Sequence, residues 1–357
     1  MKVGIYTPYL DSFGGGERYV LTVAEILSKQ HDVDLMLDSH QLSLDPANLK
    51  NELSLHLNLD LSKVHLVESP LGKDGNILQN IIFLRNYDLL FYVTDGSIFY
   101  STAKRSIIHF QVPFKNLASV NPWNRIKLGS WDLAICNSKF TQKVIEKEWS
   151  IMSQVIYPPV EVEIIKPLLK KNQILSVGRF ASFTRSKKHE EMIFSFRNLY
   201  QTGKIKGWSL HLAGSVEGDG GYIDELRKLA KDLPVTFYPD YPFKELVKLY
   251  GESGIYWHAA GFGETDPAKM EHFGITTVEA MAGGCVPVVI NKGGQPEIVE
   301  DQKSGLLWDN LEQLKELTLK LISSQQLMAT LSKNAVLKSK VFSKERFKEK
   351  IKDILSS

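Results

Sequence analysis

The stretch EHFGITTVEAMAGGCVPVV, Glu271–Val289, shows the unit from which the C-terminal half of the chain is built. It starts in a loop, turns at Gly274 and enters a segment whose apolar residues recur at helical spacing. That spacing predicts a buried helix face made of Ile275, Val278, Met281 and Ala282. The run VPVVI that follows is typical of a strand buried on both faces. A helix leading into such a strand indicates a parallel sheet covered by helices.

The same alternation runs through the chain on both sides of this stretch. Upstream in the C-terminal half, the predicted strands NQILSVGRF, WSLHLAG and PVTFYP alternate with helical segments such as KKHEEMIFSFRNLY. The N-terminal half repeats the pattern with KVGIYTP, DVDLML, LLFYVT, SIIHFQ and LAICNS. Between the halves, YPPVEVEIIKP has three prolines and is typical of a linker. The chain of 357 residues therefore predicts two tandem α/β domains, each a doubly wound parallel sheet.

Composition and charge argue against a nucleic-acid-binding protein. The chain is 43% hydrophobic and 24% charged, with a net charge of +2. Residues 1–160 carry 15 Lys and Arg against 16 Asp and Glu, and the remainder carries 28 against 25. Neither half has the basic excess that binding to phosphate backbones requires.

The sequence also favours a cytoplasmic protein. Cys136 and Cys285 both lie in apolar surroundings, which indicates free thiols in a reducing compartment. The N-terminus MKVGIYTPYL leads directly into a predicted strand, so we expect no signal peptide. No apolar run approaches the roughly 20 residues of a membrane span. Peripheral contact with the inner face of a membrane stays open as an expectation.

The loops that follow the strands are where chemistry is expected. In doubly wound domains, ligands bind beyond the carboxyl ends of the strands, and two such domains can face each other across a cleft. The helix after Gly274 offers free N–H groups to an anion. Glu271 precedes that helix tip and Glu279 lies about one turn inside it, where carboxylates accept hydrogen bonds from hydroxyls. Phosphate flanked by hydroxyl groups describes a nucleotide sugar, although Glu279 on a solvated face and Glu271 favouring the helix N-terminus would also explain the pattern.

Two further loops could hold the phosphates. DSFGGGERYV, with Gly15 and Gly16, follows the first strand and would let the backbone approach a ligand. A tight strand-to-helix turn explains it as well, since neither a G-x-G-x-x-G nor a P-loop pattern is present. SVGRFASFTRSKKH places Arg179 after a strand and Lys187 before a helix, so two cations could hold a diphosphate. A solvated basic loop is the alternative.

Two other candidates are weaker. His109 ends the strand-like run SIIHF, where a structural histidine is the more common finding than a catalytic one. Asp32 and Asp34 form a D-x-D pattern, but they open a predicted strand and would lie at the edge opposite the ligands. We interpret this pair as structural and predict no metal site.

Taken in order, these segments resemble the family-4 retaining glycosyltransferases of GT-B fold. The resemblance covers nearly the whole chain and is carried by FGGGERYV, IHFQVP, ICNSKFT, YPPV, SVGRF with KKH, EHFGITTVEAMAGGCVPVV and GGQPEIV. It implies an acceptor domain at 1–160, completed by a C-terminal helix at 343–357, and a donor domain at 161–342. The form EHFGI most resembles mannosyltransferases that extend lipid-linked oligosaccharides.

The resemblance also implies roles for single residues. Gly15 and Gly16 correspond to the loop near the donor phosphates, His109 to the histidine facing the transferred sugar, and Arg179 with Lys187 to the diphosphate-binding pair. Glu271 corresponds to the residue that binds sugar hydroxyls and Glu279 to the one that binds ribose. The segment beside sugar and phosphate corresponds to Phe273, Gly274, Ile275 and Thr276. Two departures are the long loops FASFTRS and GFGETDPAKM, of which the second is expected to shape the donor or acceptor pocket.

The implied activity is retaining, metal-independent transfer of a hexosyl unit, mannosyl or glucosyl, without any cofactor. The donor would be a GDP- or UDP-linked sugar and the acceptor a glycan, a lipid-linked glycan or a small molecule. Three alternatives stay open: a GT-B nucleotide-sugar epimerase, a Rossmann oxidoreductase, which the missing G-x-G-x-x-G disfavours, and a nucleotide-sugar-binding protein without activity.

Overall fold

The chain divides into two compact units. A computed structural model describes residues 1–10, 14–43, 45–72, 76–115, 121–218 and 220–356. Unit 1 contains Met1–Pro159 together with Glu345–Ser357, and unit 2 contains Val160–Lys344. The acceptor and donor roles implied for the two domains stay predictions.

Unit 1 is built on a sheet of seven parallel strands. Their order across the sheet is β3-β2-β1-β4-β5-β6-β7, and all neighbouring pairs are parallel. The order runs in both directions from β1, as expected for a doubly wound sheet. The strands are β1 Lys2–Tyr6, β2 Asp32–Leu37, β3 Val64–Glu68, β4 Leu89–Val93, β5 Arg105–Phe110, β6 Leu133–Cys136 and β7 Ser153–Val155.

Helices cover both faces of this sheet. The helices are α1 Gly15–Leu27, α2 Ser39–Leu42, α3 Pro46–Leu57, α4 Ile77–Leu84, α5 Pro122–Leu128, α6 Lys139–Trp149 and, from the chain end, α14 Lys344–Ser356. One apolar core joins α1, α3 and α14 to the sheet, and a second joins α4, α5 and α6 to it. Alternation along β5 explains the division, since Ile107 belongs to the first core and Ile108 to the second.

Unit 2 repeats the architecture with six parallel strands in the order β12-β10-β8-β13-β14-β15. A separate parallel pair, β9 and β11, lies outside this sheet and was not predicted from the sequence. The strands are β8 Lys171–Val177, β9 Phe180–Ala181, β10 Ser209–Gly214, β11 Val216–Glu217, β12 Val235–Pro239, β13 Ser253–His258, β14 Val286–Ile290 and β15 Leu306–Trp308.

The helices of unit 2 fill the connections between its strands. They are α7 His189–Gln201, α8 Gly221–Leu229, α9 Phe243–Glu252, α10 Ile275–Ala282, α11 Gln295–Ile298, α12 Leu311–Ile322 and α13 Gln325–Ser339, with 3-10 turns at Pro267–Lys269 and Lys340–Phe342. The α10 helix is buried from Thr277 onward, whereas Ile275, predicted on its buried face, is half-buried at the helix entrance.

The predicted α/β class with two parallel sheets is confirmed. Both cysteines are buried and free. In the D-x-D pair, the buried Asp34 accepts a hydrogen bond from the Tyr87 hydroxyl at 2.9 Å and Asp32 lies 3.6 Å from His65, and the structural interpretation of the pair stays a prediction. Within the described part of the chain, every helix is too short or too polar to cross a membrane.

Candidate functional site

The site lies at the carboxyl edge of the unit 2 sheet. There β8 ends at Val177, β13 ends at His258, and α10 begins at Ile275. Tyr256 of β13 joins these elements, since its hydroxyl donates to Thr276 Oγ1 at 2.8 Å or to the Val177 carbonyl at 3.4 Å. The ends of β8 and β13 and the start of α10 therefore meet at one edge of the unit 2 sheet.

Three side chains meet at this edge, and we call them the Glu271 cluster: Glu271, Lys187 and His258. The Glu271 Oε2 atom lies 2.6 Å from Lys187 Nζ and 3.0 Å from His258 Nε2. The side chains of Glu271 and Lys187 expose only 19% and 24% of their surface, and that of His258 exposes 3%. The cluster is therefore open enough for a ligand to reach and closed enough to strengthen its electrostatics.

The charges of the cluster follow from this geometry. Burial raises the pKa of Glu271, but the Lys187 charge and the hydrogen bond from His258 outweigh it, so that the pKa lies well below its usual value. Burial lowers the pKa of His258 and the Lys187 charge adds to the effect, against the opposing pull of Glu271. A neutral His258 next to a carboxylate must donate through Nε2. The cluster thus holds one anion, one cation and one neutral donor.

The loop before α10 owes its shape to a glycine. Gly274 has φ +119°, and a Cβ atom there would lie 2.3 Å from Gln295 Nε2. Gln295 is fully buried, donates to the Phe273 carbonyl at 3.3 Å and accepts from the Thr277 hydroxyl at 2.9 Å. Because Thr277 N–H makes the first bond back to the Gly274 carbonyl, the amides of Ile275 and Thr276 precede the helical ladder. This half-buried helix end is suited to an anion.

Glu279 is less accessible than the ribose role assumes. It is 5% exposed, and its Oε2 atom accepts a hydrogen bond from the buried Tyr250 hydroxyl at 2.9 Å. Its position on α10 is nevertheless the one expected, two turns beyond Glu271. Its contact with a ribose stays a prediction.

The two predicted phosphate-binding cations have different surroundings. The Lys187 side chain crosses Gly178, where a Cβ atom would come within 2.8 Å of its Cγ. Arg179 does not join the Glu271 cluster, because its Nη1 atom pairs with Glu217 Oε1 at 2.5 Å and 55% of its side chain is exposed. A diphosphate would therefore have to draw Arg179 away from Glu217.

The long loop before Glu271 is fastened by lysines. Lys188 Nζ lies 2.8 Å from Glu264 Oε1, and Lys292 Nζ donates to the Glu264 carbonyl at 2.9 Å. Lys188 also precedes α7 with φ +57°, an unusual conformation for a residue with a side chain. Lys188 is adjacent to Lys187 but is not part of the predicted phosphate pair. Its ion pair with Glu264 instead holds the loop before Glu271.

Several contributors were not predicted from the sequence. His258, Tyr256 and Gln295 had no assigned role, although His258 ends a strand at the carboxyl edge, which is the one signal that could have indicated it. Lys188 and Glu264 are distant in sequence, and nothing in either segment indicated their pairing.

In unit 1, the predicted glycine loop lies at the matching edge. Gly15 begins α1, and the Gly16 carbonyl accepts from Gln111 Nε2 at 3.3 Å just beyond β5. The Gly14 N–H donates to Glu17 Oε2 at 2.9 Å, so an acidic side chain already serves the N-terminus of α1. Asp11–Phe13 of the glycine stretch lie outside the described residues.

His109 is placed in the interior of unit 1. Its residue is fully buried, its ring stacks on Tyr19 with centroids 3.9 Å apart, and burial lowers its pKa to about 3. Both ring nitrogens are without a hydrogen-bond partner within the part of the chain that the structure describes. To face a sugar, this neutral imidazole would need Tyr19 to move, and its catalytic role stays a prediction.

Comparison with known proteins identifies the domain that holds the Glu271 cluster. Residues 161–338 match the family described as "Glycosyl transferases group 1". These residues belong to the glycosyl transferases group 1 family. The Glu271 cluster and the α10 helix lie wholly within this glycosyl transferases group 1 domain.

Sequence relatives include glycosyltransferases, and solved structures share the fold of the chain. The chain is 32% identical over 201 residues to a "GDP-Man:Man(3)GlcNAc(2)-PP-Dol alpha-1,2-mannosyltransferase" of Xenopus laevis. This alignment covers 51% of this chain and 39% of that protein. The chain thus spans about two fifths of that relative. A glycosyltransferase from Rickettsia africae has a TM-score of 0.74 at 16% identity, covering 99% of this chain and 97% of the other. Anabaena Alr3699/HepE in complex with UDP and glucose has a TM-score of 0.70 at 18% identity, covering 100% and 99%. The predicted GT-B fold is confirmed.

The described residues of the group 1 domain and of unit 1 contain no cluster of three or more His, Cys, Asp or Glu side chains suited to a metal ion. Metal independence of the reaction stays a prediction, since a metal could also arrive with the substrate.

Proposed function

We propose that the protein is a retaining, metal-independent glycosyltransferase that moves a hexosyl unit from a nucleotide-diphosphate sugar to an acceptor hydroxyl. The observation that carries this proposal is the Glu271 cluster beside the open N-terminus of α10, inside the glycosyl transferases group 1 domain. The relative's name favours GDP-mannose as donor, whereas the structural neighbour was captured with UDP and glucose. We infer a GDP- or UDP-linked hexose, with mannose favoured.

Binding of the donor would give Lys187 and Glu271 new partners in place of each other. Its diphosphate would bind the amides of Ile275 and Thr276 and would compete with Glu271 for the Lys187 ammonium, since two phosphates offer more negative charge than one carboxylate. Glu271 would then keep its bond from His258 and accept bonds from sugar hydroxyls. The ribose would reach Glu279. Phe273 and Gly274 would supply the backbone beside the sugar.

The transfer step needs charge stabilisation more than a nucleophile. The acceptor hydroxyl would attack the anomeric carbon from the leaving-group side, forming the new C–O bond as the bond to the β-phosphate oxygen breaks. The hydroxyl proton would pass to that phosphate, which leaves with the nucleotide. Lys187 and Arg179 would stabilise the growing charge on the diphosphate, and the contribution of each should increase toward the transition state.

The acceptor side is assigned to unit 1. We infer that Gly15 and Gly16 approach the donor phosphates and that His109 faces the transferred sugar near its anomeric carbon. The mannosyltransferase named above acts on a glycan carried by a lipid diphosphate, as its name states. A lipid-linked glycan is therefore our favoured acceptor, with the reaction at the cytoplasmic face of a membrane and peripheral contact with that membrane.

A panel experiment separates this proposal from its rivals. The purified chain is incubated with GDP- and UDP-linked hexoses, with and without a lipid-diphosphate-linked oligosaccharide. Transfer predicts nucleotide release that depends on the acceptor. Conversion of one nucleotide sugar into another without acceptor would identify an epimerase, and thermal stabilisation by the donor without turnover would identify a silent binding protein.

A chelator tests metal independence in the same assay. Because two cationic side chains and a helix N-terminus are assigned to the diphosphate, we expect EDTA to leave the rate unchanged. Loss of all activity in EDTA and its return with Mg²⁺ or Mn²⁺ would refute this assignment.

A further inference from the structure

Two helices of unit 1 expose large apolar side chains to solvent. On α4 these residues are Ile77, Leu78 and Ile82, and on α5 they are Trp123 and Ile126. Each of the five residues exposes more than half of its surface. Neither helix, ILQNIIFL or PWNRIKL, contains an acidic residue. From the sequence, core packing was the more common expectation for Trp123, and its exposure to solvent shows that this expectation is wrong. A clustered exposed apolar surface of this kind marks an interaction site.

The two helices lie on the same face of unit 1. Both pack on the second apolar core, α4 through Phe83 and Leu84 and α5 through Leu128. The segment between them connects their inner sides, since Thr102 Oγ1 donates to the Ile81 carbonyl at 2.7 Å and the Ser101 N–H donates to Ser130 Oγ at 2.9 Å. We call the outward sides of α4 and α5 the helix-pair surface.

Among the described residues of α4 and α5 and the cap residue that follows α4, every charged side chain is basic. Arg85 caps the C-terminus of α4, and Arg125 and Lys127 lie in the last turn of α5. Both arginines are exposed and Lys127 is half-buried. An isologous contact with a second copy would bring these three cations against their own equivalents, which disfavours a dimer through this surface.

We propose that the helix-pair surface docks on a lipid bilayer that carries anionic headgroups. Isoleucine and leucine would enter the boundary between headgroups and acyl chains, Trp123 would lie at the level of the headgroups, and the three cations would face lipid phosphates. This inference goes beyond the transfer reaction, because it concerns a face of unit 1 and holds for any donor or acceptor. It gives the predicted peripheral membrane contact a defined surface.

Vesicle binding by the full chain tests the proposal. Co-sedimentation is measured with vesicles of phosphatidylcholine alone and of phosphatidylcholine mixed with phosphatidylserine. We expect binding to the mixed vesicles, with a loss of about tenfold in partition coefficient for each of Ile82→Ser and Trp123→Ser. Replacing Arg85, Arg125 and Lys127 together by Gln should lower binding to the mixed vesicles on the order of a hundredfold.

The chain offers a matched control in Leu55. This residue is even more exposed than Ile82, but it lies on α3, whose core is the one on the opposite face of the unit 1 sheet. Leu55→Ser should therefore bind vesicles as the wild type does. Unfolding midpoints of all variants identify any loss of binding that arises from misfolding.

Trp123 supplies an independent readout. Of the six tryptophans, Trp123 is exposed and the other five are buried or half-buried. Vesicles with brominated acyl chains should quench part of the wild-type fluorescence, and Trp123→Phe should bind with little quenching. Three results would overturn the proposal: wild-type protein that stays off mixed vesicles, an Ile82→Ser and Trp123→Ser double variant that binds undiminished, or self-association through this surface without vesicle binding.

Discussion

Replacing Lys187 by alanine removes the cation on which the proposed donor site depends. The ammonium lies 2.6 Å from Glu271 Oε2, and the two side chains are 24% and 19% exposed. Exposed ion pairs contribute about 0–1 kcal/mol, and breaking a buried pair costs about 3–5 kcal/mol. This partly buried pair falls between them, so Lys187→Ala should reduce the free energy of unfolding by about 2 kcal/mol.

The matched control is Lys338→Ala. Lys338 Nζ also lies 2.6 Å from a carboxylate, that of Glu300, and its side chain is also 24% exposed. The difference is that Glu300 is 49% exposed and is hydrated when its partner is removed. Lys338→Ala should therefore change stability by less than about 1 kcal/mol and leave transfer unaffected.

The effect on function distinguishes a phosphate ligand from a residue that only positions Glu271. A charge-assisted bond to phosphate contributes about 1.5–3 kcal/mol, and the lost Glu271 pair offsets part of it, so nucleoside diphosphate affinity should fall about tenfold in Lys187→Ala. Monophosphate affinity should change less. At saturating donor the transfer rate should fall by a further two to three orders of magnitude, as for other preorganised charge-stabilising groups.

Calorimetric titration with nucleoside di- and monophosphates and an acceptor-dependent transfer assay measure these quantities. Adding Glu271→Gln to Lys187→Ala should restore stability, because no unpaired buried carboxylate remains, while diphosphate affinity stays low. Unchanged diphosphate affinity in Lys187→Ala would refute the proposed role.

Three further predictions concern other residues of the two units. Glu279→Gln should weaken binding of the free nucleotide and of the nucleotide sugar alike, whereas Glu271→Gln should lower the transfer rate without weakening binding of the free nucleotide; equal losses of nucleotide affinity would contradict the division of roles. Arg179→Ala should lower the transfer rate about a hundredfold, and Arg227→Ala, with 54% of its side chain exposed in an ion pair of its own, should not. Because burial lowers the pKa of His109 from 6.5 to about 3, the unfolded chain takes up a proton that the folded chain does not, and stability should fall as pH drops below about 6.5. In His109→Phe, the free energy of unfolding measured in urea should decrease less steeply as the pH drops, by up to about 1.4 kcal/mol per pH unit. An unchanged pH dependence would mean that His109 is protonated in the folded protein.

The sequence was sufficient for the fold because its local signals agree with one another. Strands such as VPVVI in β14 are apolar on both faces, and helices between them have one buried stripe, so a parallel sheet was the one consistent arrangement. The turn at Gly274 could also be predicted from the sequence. A glycine directly before a helical pattern indicates a backbone conformation that is strained for other residues.

Contacts between distant segments were beyond what periodicity can predict. His258 and Glu271 are separated by the long loop GFGETDPAKM, in which Glu264 pairs with Lys188, and their side chains nevertheless lie 3.0 Å apart. From the sequence, the place of His109 near a strand end favoured a structural role and the family resemblance implied a ligand-facing one, but neither indicated that Tyr19 from α1 stacks on its ring. Both contacts depend on a side chain that comes from a distant segment of the chain, and a local sequence pattern contains no information about such a partner.

The central claim is that the cluster around Glu271 serves glycosyl transfer, and the most direct measurement is the stoichiometry of one reaction. The purified chain is supplied with GDP-mannose labelled in the sugar, or with UDP-glucose labelled likewise, and with a lipid-diphosphate-linked oligosaccharide. The account predicts that labelled hexose enters the acceptor in a one-to-one ratio with the nucleoside diphosphate released, and that Lys187→Ala loses both products together. Label that stays in the nucleotide sugar, or is released only as free hexose at a rate unaffected by the acceptor, would contradict it.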